Sequence, residues 1–237
     1  MTQSTYSDTN DKLMLSTGNA LVEWAKFDAY ILNKINQDKS IKRETILNAG
    51  AGRTVTDFEI PFFKSFEECF LVEPDDHRRK QLANNLCGLT AQVLSERIEQ
   101  LSVNNNKSAD FVLCKYVLQH VDTRKLDECF SSLKSIVRPG GRIGVFTAFS
   151  SEPNDFYQLL IDDDTQSAVP ETLREVMKKG PRISEEMFNS LLSGENNFSF
   201  IATHYFSVNF LREKFQGWLI SIVFGPYDVA YFEAIAP

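Results

Sequence analysis

Five short apolar segments alternate with helix-forming segments between residues 45 and 149, and this alternation limits the possible folds more than any other feature. The segments are mostly continuous apolar runs, which is typical of parallel strands covered on both faces. Strands that alternate with helices predict βαβ units, whose right-handed crossovers place a functional cleft beyond the carboxyl ends of the strands. The predicted strands are 45–49, 68–73, 91–95, 109–115 and 142–149.

Helical signals lie between and before these strands. Residues 75–86 begin with two aspartates, which suit the positive end of a helix dipole. Residues 122–137 repeat apolar side chains at helical spacing and are followed by a proline and two glycines. An amphipathic helix is also predicted over 19–36, and a short helix over 54–60 after the first strand.

Beyond residue 150 the alternation stops. Residues 151–183 predict a loop that contains a short helix over 171–179, and a second helix is predicted over 184–192. Segments 198–208 and 229–236 are candidate strands that could extend the sheet edge as an antiparallel pair, whereas the residues between them fit a helix or a strand equally well.

Composition narrows the class of protein further. The formal charge of −7 makes nucleic acid an unlikely partner, because nucleic-acid binders usually cluster basic residues. The four cysteines match no zinc spacing, so we expect no metal site and interpret them as buried free thiols of a reducing compartment. The amino terminus is polar and no apolar run approaches the length of a membrane span, so we expect a cytoplasmic protein without a membrane partner.

Two glycines, Gly50 and Gly52, follow the first predicted strand, where small residues let backbone amides approach a ligand. Glu73 ends the next strand, 23 residues after Gly50, where an acid can accept the hydroxyls of a ribose. The alternative is a plain strand-to-helix connection with a solvated glutamate. Val55 replaces the third glycine of a dinucleotide fingerprint, and the loop lacks the Gly-Lys pair of a P-loop, which disfavours both of those classes.

Five segments in this order resemble the motifs of class I S-adenosylmethionine-dependent methyltransferases. They are ILNAGAGR, LVEP, VLSERIEQL, ADFVLCKYVLQHV and LKSIVRPGGRIGVF, within residues 45–148. The resemblance implies S-adenosylmethionine as the cofactor. With the pattern above it implies an α/β fold: a doubly wound, Rossmann-like, mostly parallel sheet with a C-terminal antiparallel hairpin and an N-terminal helical lid.

The resemblance also implies the residues of the cofactor site. Asn48 would orient the glycine loop, Glu73 would hold the ribose and Ile98 would pack on the adenine. The full expected set is Asn48, Ala49, Gly50, Gly52, Glu73, Pro74, Glu96, Arg97, Ile98, Cys114, Lys115 and Tyr116. Tyr116, Tyr157 and His204 are the candidates for catalysis on the acceptor side.

We therefore expect one methyltransferase-like domain over 1–237 that acts on a small molecule or a protein. Its expected parts are a helical cap (1–44), a cofactor-binding core (45–150), a specificity insert (151–183) and the rest of the sheet (184–237). The family usually has an acid where this chain has Asn48, and often a glycine where it has Thr54. These departures leave open a catalytically silent, methyltransferase-like binding module; a nicotinamide-dependent oxidoreductase is less favoured.

Overall fold

A computed structural model describes residues 18–102, 108–161, 167–179, 182–193 and 200–237. Its strands are β1 (Thr45–Ala49), β2 (Glu68–Val72), β3 (Gln92–Leu94), β4 (Ala109–Lys115), β5 (Val137–Ser150), β6 (Phe156–Ile161), β7 (Arg182–Ser184), β8 (Phe200–Ser207), β9 (Leu219–Phe224) and β10 (Val229–Ile235). Its α-helices are α1 (Gly18–Gln37), α2 (Ile60–Phe63), α3 (Asp76–Asn84), α4 (Leu126–Ser135), α5 (Glu171–Lys179), α6 (Glu185–Ser193) and α7 (Val208–Lys214). Short 3₁₀ turns cover Ile98–Gln100, Leu118–His120 and Thr123–Lys125.

The strands form a mixed sheet in the order β3-β2-β1-β4-β5-β8-β6-β7, and the first five of these pair in parallel. Strand β1 lies between β2 and β4, so the strand order reverses there and opens a cleft at the carboxyl ends. Strand β10 pairs antiparallel with both β5 and β9. The mostly parallel α/β sheet with a C-terminal antiparallel hairpin is therefore confirmed.

Both faces of the parallel sheet are covered, which explains the continuous apolar strands. Neighbouring residues Ile46 and Leu47 enter different apolar clusters, one on each face of the sheet. Helices α4 and α7 cover the face of Leu47, whereas α1, α2 and α3 cover the face of Ile46. Burial of each such side chain contributes about 1.5–3 kcal/mol relative to exposure.

Helix α1 lies across the second face as an N-terminal cover. Its buried residues Ile31, Leu32 and Ile35 anchor its carboxyl-terminal half in the core. Its other half carries Phe27, which packs edge-on against Phe146 of β5. Among the described helices, none has the combination of length and apolar character needed to cross a membrane.

The structure differs from the sequence-based prediction at several elements. Of the residues predicted as a helix over 54–60, those at 54–56 are irregular and those at 57–59 form a turn. Helix α2 begins only at Ile60, with Pro61 in its first turn, where proline is tolerated. The segment 151–183, predicted as a loop, contains β6 and β7; its residues 162–166 and 180–181 lie outside the described residues. Cys87 is exposed rather than buried.

The strand predicted at 198–208 does not join the carboxyl-terminal strand. As β8 it pairs antiparallel with β6, and only its last two residues meet β5. The hairpin partner of β10 is β9, in the stretch that fitted helix or strand equally well. Strands β6 and β8 instead carry a separate apolar core with α5 and α6, which includes Tyr157 and Phe188.

Candidate functional site

A cavity of about 730 Å³ lies at the carboxyl ends of β1, β2 and β4, at the reversal of strand order. Its walls come from the loop after β1, the loop after β2, the turn after β3 and the turn after β4. The residues that line it are Asn48, Gly50, Ala51, Gly52, Thr54, Thr56, Glu59, Glu73, Pro74, Asp75, Asp76, Arg78, Arg97, Ile98, Glu99, Lys115, Tyr116, Val117, His120, Val121, Asp122 and Lys125.

The glycine turn is held against the neighbouring strand by its own amides. The amides of Gly50 and Ala51 both donate to the carbonyl of Val72, at 2.9 and 2.8 Å. Gly50 and Gly52 have φ of +85° and +72°, a region that glycine adopts without steric cost. A Cβ on Gly50 would lie 2.4 Å from Cγ2 of Val117, so this turn has no room for a side chain there.

The Glu73 carboxylate lies directly against the glycine turn. Its Oε2 accepts a hydrogen bond from the Gly52 amide at 2.9 Å, and its Oε1 accepts one from the Asp75 amide at 3.0 Å. Burial raises the pKa of the Glu73 carboxyl above its usual range, although these two amides oppose the shift. The turn after β1 and the end of β2 therefore meet at one carboxylate on the cavity wall.

Asn48 brings a buried polar atom to the same cavity without a protein partner. Its side chain is 4% exposed, and its Oδ1 accepts no hydrogen bond from the described protein atoms. A buried acceptor of this kind is costly unless a ligand or water satisfies it. Together with the Glu73 carboxylate and the open space beside Gly52, this acceptor fits a ligand that carries hydroxyl and amino groups.

A buried ion cluster forms the wall beyond β4. The Lys115 ammonium lies 2.7 Å from Glu59 and 3.4 Å from Asp28, which belongs to α1. Burial alone would lower the pKa of Lys115, but the two carboxylates raise it above its usual range. Lys115 is therefore protonated, and its ion pair with Asp28 links helix α1 to this wall of the cavity.

Tyr116 is fixed in an uncommon conformation beside this cluster. Its φ of +57° is rare for a residue with a side chain, and such outliers are concentrated at functional sites. Its hydroxyl donates to Asp28 at 2.8 Å, and its ring stacks on Trp24 of α1. Burial, with the nearby Asp28 carboxylate, raises the pKa of Tyr116 far above its usual range, so the phenol stays protonated.

His120 lines the cavity as a neutral imidazole. Burial lowers its pKa to about 4. The side-chain oxygen of Gln119, Oε1, accepts a hydrogen bond from the Ala148 amide at 2.5 Å. The side-chain nitrogen of Gln119 therefore lies 3.2 Å from His120 Nε2 and donates a hydrogen bond to it. Nδ1–H then donates to the carbonyl of Ala202 at 3.4 Å. These contacts make His120 a structural link between the cavity and β8.

The cavity unites most of the cofactor residues expected from the sequence. Those that line it are Asn48, Gly50, Gly52, Glu73, Pro74, Arg97, Ile98, Lys115 and Tyr116. Ala49 and Cys114 do not line it, because their side chains are fully buried between the sheet and α4. Glu96 does not line the cavity either. In the turn after β3, the acidic residue that lines it is Glu99.

Tyr157 and His204, two of the three candidates for catalysis, do not line the cavity either. They stack on each other at 4.4 Å between neighbouring strands β6 and β8, and both are almost completely buried. His204 Nε2 lies 2.6 Å from Asp155, whose other oxygen accepts the Ser207 amide. Asp155, through its contacts with His204 and Ser207, joins the start of β6 to β8, so these contacts have a structural role.

Sequence reasoning missed two acidic residues of the site. Glu59 was detectable, because Thr56 and Glu59 have the spacing of a capping box, and the Glu59 carboxylate does bind the amide and hydroxyl of Thr56. Asp28 gave no signal, because its partner Tyr116 is 88 positions away along the chain.

Comparisons with known proteins agree with this geometry. Residues 47–145, which contain the glycine turn, Glu73 and the turn after β4, match a family model described as a methyltransferase domain. No curated protein matches the sequence significantly.

Solved structures share the fold at low sequence identity. Magnesium protoporphyrin IX methyltransferase from Synechocystis PCC 6803, with bound S-adenosylhomocysteine, is 14% identical with a TM-score of 0.60, over 91% of this chain and 84% of that one. The glycopeptide N-methyltransferase MtfA, complexed with S-adenosylmethionine, is 11% identical with a TM-score of 0.56, over 88% and 94%. The N-methyltransferase NodS from Bradyrhizobium japonicum WM9 is 10% identical with a TM-score of 0.54, over 90% and 87%.

The cavity lies at the switch point of the parallel sheet, which is where open α/β sheets bind their ligands. The chain is therefore similar to methyltransferases in two respects: residues 47–145 match the family model, and the fold is shared with the solved structures.

Proposed function

We propose that this chain is an S-adenosylmethionine-dependent methyltransferase. It transfers the methyl group of S-adenosylmethionine by in-line displacement to a small-molecule or protein acceptor, in the cavity at the ends of β1, β2 and β4. The observation that carries the proposal is the hydrogen bond between the Glu73 carboxylate and the Gly52 amide. It brings the acid suited to a ribose and the turn suited to close backbone approach into one site.

Each wall of the cavity has a task under this proposal. The Glu73 carboxylate accepts hydrogen bonds from the ribose hydroxyls of the cofactor, and Pro74 and Ile98 flank its adenine. The open space beside Gly52 leaves room for the amino-acid part of the cofactor, and Asn48 Oδ1 accepts a hydrogen bond from its amino group. Lys115 and Tyr116 border the end of the cavity where the acceptor must approach.

The cofactor supplies an electrophilic methyl group on a sulfonium; an acceptor lone pair forms the new bond, and the electron pair of the broken C–S bond stays on sulfur. The protein therefore contributes mainly alignment and exclusion of water. Tyr116 suits this task, since its backbone is held at positive φ and its hydroxyl is fixed by Asp28. Helix α1 covers this wall through Trp24 and Asp28.

The solved structures named above differ in the acceptors that their names give. One is named for a magnesium porphyrin and another for a glycopeptide. At their level of identity the fold is shared and the acceptor is not implied.

The proposal is tested in two stages. S-adenosylhomocysteine should raise the melting temperature of the protein, whereas nicotinamide dinucleotides should not. Methyl-labelled S-adenosylmethionine is then incubated with the protein and with separated small-molecule and protein fractions of a cell extract. Label that moves into one fraction, and fails to move with the Gly50→Val variant, supports the proposal. Cofactor binding without transfer to any fraction would contradict it.

A further inference from the structure

The ion cluster at the end of β4 carries more negative than positive charge. Asp28 and Glu59 are two carboxylates with side chains 4% and 5% exposed, and Lys115 between them is the cation that both contact. Their remaining contacts in the described protein are with neutral groups, the Tyr116 hydroxyl for Asp28 and the amide and hydroxyl of Thr56 for Glu59. The cluster therefore has one carboxylate in excess.

Two members of the cluster, Glu59 and Lys115, line the cavity. At the other end of the cavity, Arg78 favours the charged form of the Glu73 carboxyl and Asp75 opposes it. The surplus carboxylate of the ion cluster therefore acts on the wall that Glu59 and Lys115 form.

A buried surplus of charge is costly unless something neutralises it. A proton can do so, and burial raises the pKa of Asp28 even though Lys115 opposes the shift. A cationic ligand in the adjacent cavity can do so as well. Asn48 independently indicates a ligand with a hydrogen-bond donor in this cavity, since its buried Oδ1 accepts no hydrogen bond in the described protein and the residue lines the same cavity.

We propose that the surplus carboxylate of the Asp28–Lys115–Glu59 cluster makes this cavity select its ligand by charge, so that it binds the sulfonium cofactor more tightly than the neutral thioether product. The inference rests on the proposed function, which puts the cofactor in this cavity. Methyl transfer removes the positive charge from sulfur, so the product loses this attraction at the moment when it has to leave.

Asp28 gives helix α1 a role beyond covering the core. It supplies the second carboxylate, and without it Glu59 and Lys115 would form a balanced pair. The residue that creates the preference is thus outside the matched family segment, on the N-terminal helix.

Isothermal titration calorimetry with two probes tests the proposal. One probe is S-adenosylhomocysteine, and the other is sinefungin, which carries an ammonium group where the methylsulfonium lies. For the wild-type protein we expect sinefungin to bind on the order of tenfold more tightly, the size of a screened charge–charge interaction in a partly buried site. The Asp28→Asn variant should bring the ratio of the two dissociation constants close to one, whereas Asp28→Glu, the matched control that keeps the charge, should preserve it.

Equal ratios in the wild-type protein and in Asp28→Asn would overturn the charge selection. If Asp28→Asn does not fold, Glu59→Gln removes one charge from the same cluster and is expected to lower the ratio equally. A folded wild-type protein that binds neither probe would instead overturn the cofactor site itself, which separates the two failures.

Discussion

Gly50 shows at the scale of one residue why the turn after β1 has its sequence. The residue combines a φ of +85° with a Cβ position only 2.4 Å from Val117. The backbone conformation and the Val117 side chain both exclude a side chain at this position. The sequence predicted this role from the two glycines after an apolar strand.

Gly50→Val is expected to weaken S-adenosylhomocysteine binding at least about 100-fold, or about 2.7 kcal/mol, because the side chain displaces Val117 into the cavity. Calorimetric titration measures the change. Gly88→Val is the matched control, since Gly88 has a similar φ of +74° but no atom within contact of its Cβ. Equal affinity in Gly50→Val and the wild-type protein would show that the turn does not cradle the cofactor.

Glu73→Ala is expected to weaken S-adenosylhomocysteine binding by about 1–3 kcal/mol, through the loss of hydrogen bonds to a charged acceptor. The change also leaves the amides of Gly52 and Asp75 without their partner. Titration of Asp76→Ala, a cavity carboxylate on the next helix, serves as the comparison. The ribose role fails if the two variants bind equally well.

At the scale of elements, the strands of the parallel core could be predicted because each is a continuous apolar run. Strands β1 and β4 have the predicted bounds. Strand β6 could not be predicted, because its sequence FYQLLI pairs with a strand some 40 residues later, and only that pairing distinguishes it from an apolar helix turn. The link between α1 and β4 was equally hidden, since it depends on a contact between Asp28 and Tyr116.

This link predicts how α1 depends on the sheet. Lys115→Met is expected to lower the free energy of unfolding by about 3 kcal/mol, because it leaves Asp28 and Glu59 buried without their cation. Urea denaturation measures the loss. The double variant Lys115→Met/Asp28→Asn should recover part of it, and a loss that is the same in single and double variants would argue against the ion cluster as the anchor.

At the scale of the whole molecule, the segment 47–145 that matches the family model contributes to both faces of the parallel sheet and to its cleft, whereas β6, β7 and β8 add a separate core. The sequence placed nine of twelve expected cofactor residues on one cavity, because motif spacing fixes strand ends. Tyr157 and His204, which the sequence suggested for the acceptor side, lie away from this cavity, because a strand pattern does not reveal which core a side chain enters. Their stacking inside the separate core is a product of tertiary packing.

Acid sensitivity of the whole fold should depend on His120. Its folded-state pKa is lowered to about 4, so the unfolded chain binds a proton first as the pH falls. Its contribution to stability is complete above the unfolded pKa of about 6.5 and is lost between about 6.5 and 4, to a total of about 3 kcal/mol. Denaturation measured at pH values from 7 to 4 should therefore show a smaller fall in the free energy of unfolding for His120→Gln than for the wild-type protein. Parallel curves for the two proteins would exclude this role.

The central claim is that the Glu73 carboxylate and the glycine turn hold one cofactor molecule. A crystal structure of the protein with S-adenosylhomocysteine measures this directly. The account predicts that both ribose hydroxyls lie within about 3.2 Å of the Glu73 carboxylate oxygens, with the amino-acid part beside Gly50 and Asn48. A ribose bound elsewhere, with Glu73 still bonded only to the Gly52 and Asp75 amides, would contradict it.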